Sequence, residues 1–514
     1  MTVVASDVPL VRSRTAWLPP VLISLLVALV AQWATAPYVV GVFHDDGIYA
    51  LLARSIASGQ GFHYAHLPGA PAATHYPPLY PLLLGAVWRL APDFPGNLSV
   101  LLSLNAVLIA MAAVGAWRFA GTRLGWSPSW CLTAAVATSL TSPTLALSGA
   151  LLSESLFIAL LWPALIAGER VIESRDPVRL VTAALLVGML MLVRTHGVAL
   201  MAAVVLLLVA RGRWKVALAF AAITEGVQVP WQLWSHWATP RLAGPLEGAY
   251  GSYIGWFVDG LRDGGATFVL ATARVNAIEC WMLLRDRVAL GPSDAVVTIA
   301  ALLLLVGIIC GAWSLVEKAR VTIAFLLCYI GILLVWPYAP WRFLWCVWPL
   351  VLVLAFEGAR TLWARPGHRR IGVALGAALP VLAVMRTELH AYANREWRAP
   401  ARRASAQIAP VVQWVRTHTT AADIVLSEGE QIVSLYTGRR AAPPVSFTAR
   451  EYISTPGADG GGTRLGAMLS AVPSRYALIV TPQVMHDADA LANAHPGLKR
   501  IDTVRDVAVY EVVP

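Results

Sequence analysis

The sequence predicts a polytopic α-helical membrane protein, a bundle of about eleven spanning helices carrying a small α/β domain at its C-terminal end. Three observations predict it. The 514 residues are 58% hydrophobic and only 13% charged, about half the charged fraction of a soluble chain. The mean hydropathy is +0.64. Apolar runs of membrane-spanning length recur from residue 17 to residue 388, and the composition turns mixed and polar beyond residue 395.

Taken in order, the first run, 17–38, follows "MTVVASDVPLVRSRTAW". That stretch has no cleavable signal pattern, so the run reads as a retained helix that also directs insertion. The next runs lie near 98–119, 128–148, 152–168, 178–195, 197–211, 215–237, 294–315, 321–338, 342–360 and 370–388. The apolar segment 77–91, "PPLYPLLLGAVWRLA", is short, opens on two prolines and contains Arg89. It reads as an interfacial helix.

Charge parity supports that count. With Arg12 and Arg14 in the cytoplasm, eleven spans leave Arg118/Arg123, Arg170/Arg175/Arg179, Arg211/Arg213/Lys215, Lys318/Arg320 and Arg360/Arg365/Arg369/Arg370 on the cytoplasmic side. Every short loop there is basic, as the positive-inside rule requires. The formal charge of +10 thereby reads as a topology signal, and no nucleic-acid partner is expected. Asp45, Asp46, Glu154, Arg194, His196, the long loop 238–293, Arg342 and the chain from about 390 onward then share the extracytoplasmic face. Five cysteines without metal-ligand spacing read as small apolar packing residues.

The segment 396–514 reads as a soluble extracytoplasmic α/β domain, the transmembrane domain with its outer loops 39–97 and 238–293 covering 1–395. Within it, "APVVQWVRTHTTAADIVLSEGEQIVSLYTGRR" reads as helix, strand, short helix and turn, "RYALIVTP" and "VRDVAVYEVV" as strands, and "GADGGGTR" (457–464) as a flexible loop.

Ionisable residues at a membrane edge are costly and mark candidate sites. Asp45 and Asp46 open "GIYALLARSIASG" and would suit the positive end of a helix; that explains one acid more readily than two. Glu154 opens another apolar run. Arg194 and His196 interrupt 180–210, which is too short for two full spans, so their turn should lie in a cavity below the surface. Arg342 begins the run 342–360. Acids and arginines meeting at lipid-phosphate depth can deprotonate a hydroxyl and stabilise a departing phosphate. His63, His66 and His75 are read as loop-packing residues before metal ligands. A transporter of lipid-linked sugars and a non-catalytic cell-envelope assembly protein are the alternatives. A transporter would place polar residues at several depths, whereas these cluster at one face.

The motifs in this order resemble the GT-C superfamily of integral-membrane glycosyltransferases, in its protein mannosyltransferase-like and aminoarabinose-transferase-like branch. "HDDGIYALLARSIASGQGF" resembles its first outer-loop motif, "YPPLYPLLLGAVWRL" its proline-aromatic element, "LLSESLFIALL" its second acidic motif, "LVRTHGVAL" its arginine turn and "WRFLWCVWPLVLVLAFEGAR" its late arginine helix. The resemblance implies inverting transfer of a sugar from a polyprenyl-phosphate donor to an acceptor hydroxyl of a glycan, lipid or protein at the outer face of the plasma or inner membrane. It implies Asp45 as base, Asp46 and Glu154 as supporting acids, and Arg342 with Arg194 as donor phosphate-binding residues. Tyr49, His75, Tyr76, Tyr80 and His196 are candidate substrate contacts. No cofactor or catalytic metal is generally required in this branch. The chain departs from the pattern at Tyr76, where some relatives carry lysine, at Thr195, where proline is usual, and at Trp345 and Trp348, where smaller residues are usual.

Overall fold

The computed structural model describes residues 18–238, 244–251, 253–289, 291, 293–364, 369–445, 461–494 and 496–513. Arg12, Arg14, Arg365 and residues 457–460 of the glycine-rich segment, all used in the sequence reading, lie outside the described residues.

Each of the eleven predicted runs contains helix. They are α1 (Leu18–Ala34), then, beyond α2 (Asp45–Ala57) and α3 (Leu79–Leu90) of outer loop 1, α4 (Leu98–Arg123), α5 (Pro128–Ser139) with α6 (Ser142–Ser148), α7 (Glu154–Glu173), α8 (Pro177–Val193), α9 (Val198–Ala210) and α10 (Trp214–Trp237). After α11 (Gly244–Tyr250) and α12 (Tyr253–Asp286) follow α13 (Asp294–Leu315), α14 (Arg320–Val335), α15 (Trp341–Trp363) and α16 (Arg369–Asn394). Among the described residues, five helices are singly long and apolar enough to cross a membrane, or six if α5 and α6, bent by 57°, form one span. Five further apolar helices, α3 among them, have 10–17 residues.

The segment 238–293 differs from a loop. It contains α12, long and apolar enough to meet the same criterion. Its contacts, however, run crosswise. Asn276 donates to the carbonyls of Leu333 at 2.8 Å and Trp336 at 2.7 Å, at the C-terminal end of α14. Arg287, just past its far end, donates to Ser142 at 3.1 Å at the start of α6. After its bend at Gly265 (φ +55°), α12 thus meets the end of α14 through its middle, at Asn276, and the start of α6 just past its C-terminal end, at Arg287.

Close helix approach carries part of the packing. On α13, a Cβ on Gly311 would lie 1.9 Å from the Leu354 carbonyl oxygen of α15, and one on Gly358 would lie 1.9 Å from that of Gly307. Small residues let helix backbones touch where apolar burial between helices contributes little. At the face bearing the basic loops, buried Glu357 accepts from Trp126 at 2.8 Å and from Arg360 at 2.7 Å, which compensates its charge.

Beyond α16 the chain turns through Arg395 (φ +51°) into α17 (Ala399–His418), β1 (Ile424–Ser427), α18 (Glu430–Thr437), β2 (Arg440–Ala442), α19 (Gly461–Ala471), β3 (Tyr476–Ile479), α20 (Pro482–Ala494), β4 (Leu498–Val504) and β5 (Val507–Val512). The sheet order is β2-β1-β3-β5-β4. β1 runs parallel to β2 and β3, and β5 antiparallel to β3 and β4. Gly461–Arg464, expected in a loop, begin α19 instead. The expected strands at 424–427, 476–479 and 507–512 are present. β4 was not expected: most of its side chains are exposed, so no apolar alternation announces it.

Candidate active site

The site forms where outer loop 1, the starts of α7 and α15 and the α8–α9 turn converge. Asp45 and Asp46 open α2, at its positive dipole end. Their side chains diverge. Asp46 is buried, with Oδ2 accepting from the Gly41 amide at 2.9 Å and Oδ1 from the Phe43 amide at 3.0 Å. Burial pushes its pKa up, opposed by these bonds. Asp46 therefore holds its own loop closed and does not face the cavity beside Asp45, unlike the supporting acid the motif suggested.

Asp45 faces that cavity and is partly exposed. Its Oδ2 lies 2.9 Å from Arg342 Nη2, and its Oδ1 accepts from the Tyr76 hydroxyl at 3.1 Å. Desolvation favours the protonated acid, but Arg342, aided by His44, Arg194 and Tyr76, holds the carboxyl below its ordinary range. Asp45 is therefore ionised at neutral pH.

Glu154 is fully buried at the start of α7. Its Oε1 accepts from Arg342 Nε at 3.0 Å and Nη2 at 2.8 Å and lies 3.1 Å from Arg194 Nη1. Arg194 also donates to Ser153 at 2.9 Å, and its guanidinium stacks over Phe343 at 5.0 Å. Buried Glu154, partly exposed Asp45 and two guanidinium groups compensate one another, as ions in a low-dielectric setting must. Glu154 Oε2 and Arg194 Nε have no hydrogen-bond partner. The cluster thus retains donor and acceptor capacity.

The predicted aromatic contacts line the same region. Tyr49 shares a 3.0 Å hydrogen bond with Ser153 and packs edge-on against Tyr76 and Tyr80. Tyr80 points away and donates to Asn105 at 3.0 Å. His196 stacks on Phe343 at 4.7 Å. His75 bonds the Gly251 carbonyl; burial lowers its pKa to about 4, so it is neutral at physiological pH. Asp45, Tyr49, Pro77, Arg194, His196 and Phe343 border a cavity of about 40 Å³, room for water but not for a sugar ring. Among the described residues, no group of three His, Cys, Asp or Glu could hold a metal ion. His66 bonds the Tyr250 hydroxyl at 2.9 Å, and His63 packs against Trp234.

Sequence reasoning missed the support behind Asp45. A Cβ on Gly47 would lie 2.6 Å from Gln431 Cβ of α18, and one on Gly41 2.5 Å from Ile432. Gln431 Nε2 lies 2.6 Å from Nδ1 of His44, the residue before Asp45, held at φ +62°. Glu430 accepts from Tyr250 at 2.7 Å, which links α11, α18 and His66. The two hydrogen-bonded pairs lie 180 and 387 residues apart, beyond any local pattern. Ser153 and Phe343, by contrast, adjoin residues already singled out.

Fold and site define a helical bundle apolar enough for a membrane, capped by an α/β unit, with two acids and two arginines gathered at one end. No known family model matches the chain, and no curated protein matches it. Solved structures do. ArnT from Cupriavidus metallidurans in the apo state aligns over 95% of this chain and 97% of its own, at 12% identity and a TM-score of 0.52. ArnT from the same organism bound to undecaprenyl phosphate aligns over 97% and 98%, at 13% identity and a TM-score of 0.49. The chain therefore shares the fold of ArnT in its apo state.

Proposed function

We propose that the protein is an inverting glycosyltransferase that moves a sugar from a polyprenyl-phosphate donor to an acceptor hydroxyl. One observation carries the reading: the Arg342 guanidinium is shared between Asp45 and Glu154 beside a second arginine. The acceptor oxygen attacks the anomeric carbon and its proton passes to Asp45. The bond from that carbon to the phosphate oxygen breaks on the opposite face. The phosphate leaves on its lipid with an added negative charge, which Arg342 and Arg194 stabilise. Polyprenyl phosphate departs readily, so no general acid is needed.

Glu154 acts as a positioning residue, holding both guanidinium groups before donor binds. The donor phosphate replaces part of the carboxylate coordination at Arg342, which frees Asp45 for the acceptor. The small cavity requires outer loop 1 and the α11–α12 segment to open for substrate. The extracytoplasmic face of the plasma or inner membrane is the proposed location, with the N-terminus cytoplasmic.

The test incubates purified protein with a panel of polyprenyl-phosphate sugars and follows release of polyprenyl phosphate. Asp45→Asn is expected to lose at least ~100-fold of the transfer rate, the usual contribution of a general base, at unchanged expression and insertion. Transfer by Asp45→Asn at the wild-type rate overturns Asp45 as base.

A further inference from the structure

A second charged cavity, of about 520 Å³, lies away from the Asp45 cluster, between α2, α3 and α18, and is lined by Arg54, Ser58, Trp88, Arg89, Asp93 and Phe94 among others. Its volume falls within the range of small-molecule sites. Arg54 stands nine residues after Asp45 on α2, which places it ~13 Å along the helix and on the opposite side of its axis. It is half-buried, and among the described residues neither its guanidinium nor that of Arg89 has a hydrogen bond or an ion pair. Burial lowers the Arg54 pKa with no acid acting against it. A desolvated guanidinium without a counter-charge is costly in the absence of a ligand. Arg398, at the same end of the bundle, by contrast donates to the Ala34 carbonyl at 2.8 Å.

The surroundings specify the anion. Arg54 and Arg89 against Asp93 leave a net charge of one, which matches a phosphodiester better than a dianion. Trp88 and Phe94 stack at 5.4 Å along one wall, an apolar and aromatic lining that suits a lipid glycerol backbone more than a free ion. The helix that carries Arg89 and Trp88 presents Leu82 and Leu90, 47% and 86% exposed, as an interfacial helix presents side chains to acyl chains. From that surface, a basic pocket would meet headgroups directly.

We propose that this cavity binds the phosphodiester headgroup of a membrane glycerophospholipid, with Arg54 as the half-buried anchor, Arg89 as the rim contact and the Ser58 hydroxyl, which donates to the Ser55 carbonyl at 3.1 Å, turning to the phosphate when lipid binds. Its occupancy would fasten α2 and α3 to the bilayer surface beside α18. The site is distinct from the donor-phosphate arginines and does not depend on the transfer reaction.

The test is native mass spectrometry of the full-length protein purified in micelles doped with phosphatidylglycerol. The wild type is expected to retain one phosphatidylglycerol more than Arg54→Gln at matched collision energy, with at least a tenfold loss of that bound species. Arg89→Gln is expected to lower it severalfold, with the melting temperature unchanged. Equal lipid retention by wild type, Arg54→Gln and Arg89→Gln overturns the site. If Arg54→Gln does not fold, Arg89→Gln and Ser58→Ala decide it by the same readout. Glycerophosphoglycerol, the soluble headgroup alone, distinguishes the source. Failure to displace the lipid at equal concentration supports the membrane lipid, and full displacement overturns it in favour of a soluble phosphodiester.

Discussion

At the scale of residues, the adjacent acids of α2 have separable roles. Asp46 accepts two backbone amides in a buried turn. Asparagine offers a single oxygen there and would turn its NH2 group toward one of those donors. Asp46→Asn is therefore expected to cost about 1–3 kcal/mol, the range for a buried group left unsatisfied. It should lower the melting temperature in detergent by more than Asp45→Asn does, because Asp45 is partly exposed and its loss weakens only its contacts with Arg342 and Tyr76. The pH dependence follows from Arg342. A carboxyl held below its ordinary value of about 3.9 stays ionised as pH falls, so the acid limb of the transfer rate should lie below about pH 4. Folding stability from this pair is likewise present above the unfolded-state pKa and is lost as pH falls through the lower folded value. Replacing Arg342 with Gln removes the largest opposition to desolvation and should move the acid limb upward, as a pH profile of the residual activity would show. An unmoved limb would mean that Arg342 does not control Asp45. Much of this cluster was legible in the sequence, because charges at the ends of apolar runs stand out against hydrocarbon. Local pattern did not separate the two acids, and only the family resemblance singled out Asp45; the Gly41 turn (φ +112°), whose amide bonds Asp46, lies outside what spacing reveals.

At the scale of elements, α18 behaves as a backing plate for the turn that carries Asp45. Gly41 and Gly47 leave room for Ile432 and Gln431, and Gln431 reaches His44. Gly47→Val would drive a branched side chain into the Gln431 Cβ, where even one carbon has only 2.6 Å. The expected result is at least a tenfold loss of transfer with every charged group of the cluster intact, while Gln431→Ala should give a smaller loss. Wild-type rates from both variants would detach α18 from the chemistry. The helices themselves were readable because apolar runs and basic loops obey one rule. The bent helix α12 was not, because a segment lying across the bundle ends mixes apolar and polar side chains without a clean period. β4 escaped for the related reason that an exposed strand buries almost nothing.

At the scale of the whole molecule, the division near residue 395 marks a change of composition more than an independent body. Trp397 donates to the Ala34 carbonyl at 3.0 Å, Ser405 accepts from the Val39 amide at 2.8 Å, and Tyr436 accepts from the Val40 amide at 2.9 Å. The Ala441 amide donates to the His66 carbonyl at 2.9 Å. The α/β unit thus grips outer loop 1 along its length, and outer loop 1 carries Asp45. Removing everything after residue 395 would expose buried Val40 and leave the Gly41–His44 turn without its backing. The expected outcome goes beyond a change of acceptor preference: the truncated chain should insert into membranes, yet lose most transfer from any polyprenyl-phosphate sugar and become sensitive to protease within residues 36–76. Limited proteolysis and the polyprenyl-phosphate release assay read the two effects separately. If the truncated protein keeps both the wild-type rate and the wild-type acceptor preference, the α/β unit neither positions Asp45 nor binds acceptor. If it keeps the rate but loses the preference, the unit serves recognition alone, and the contacts to outer loop 1 serve only to dock it.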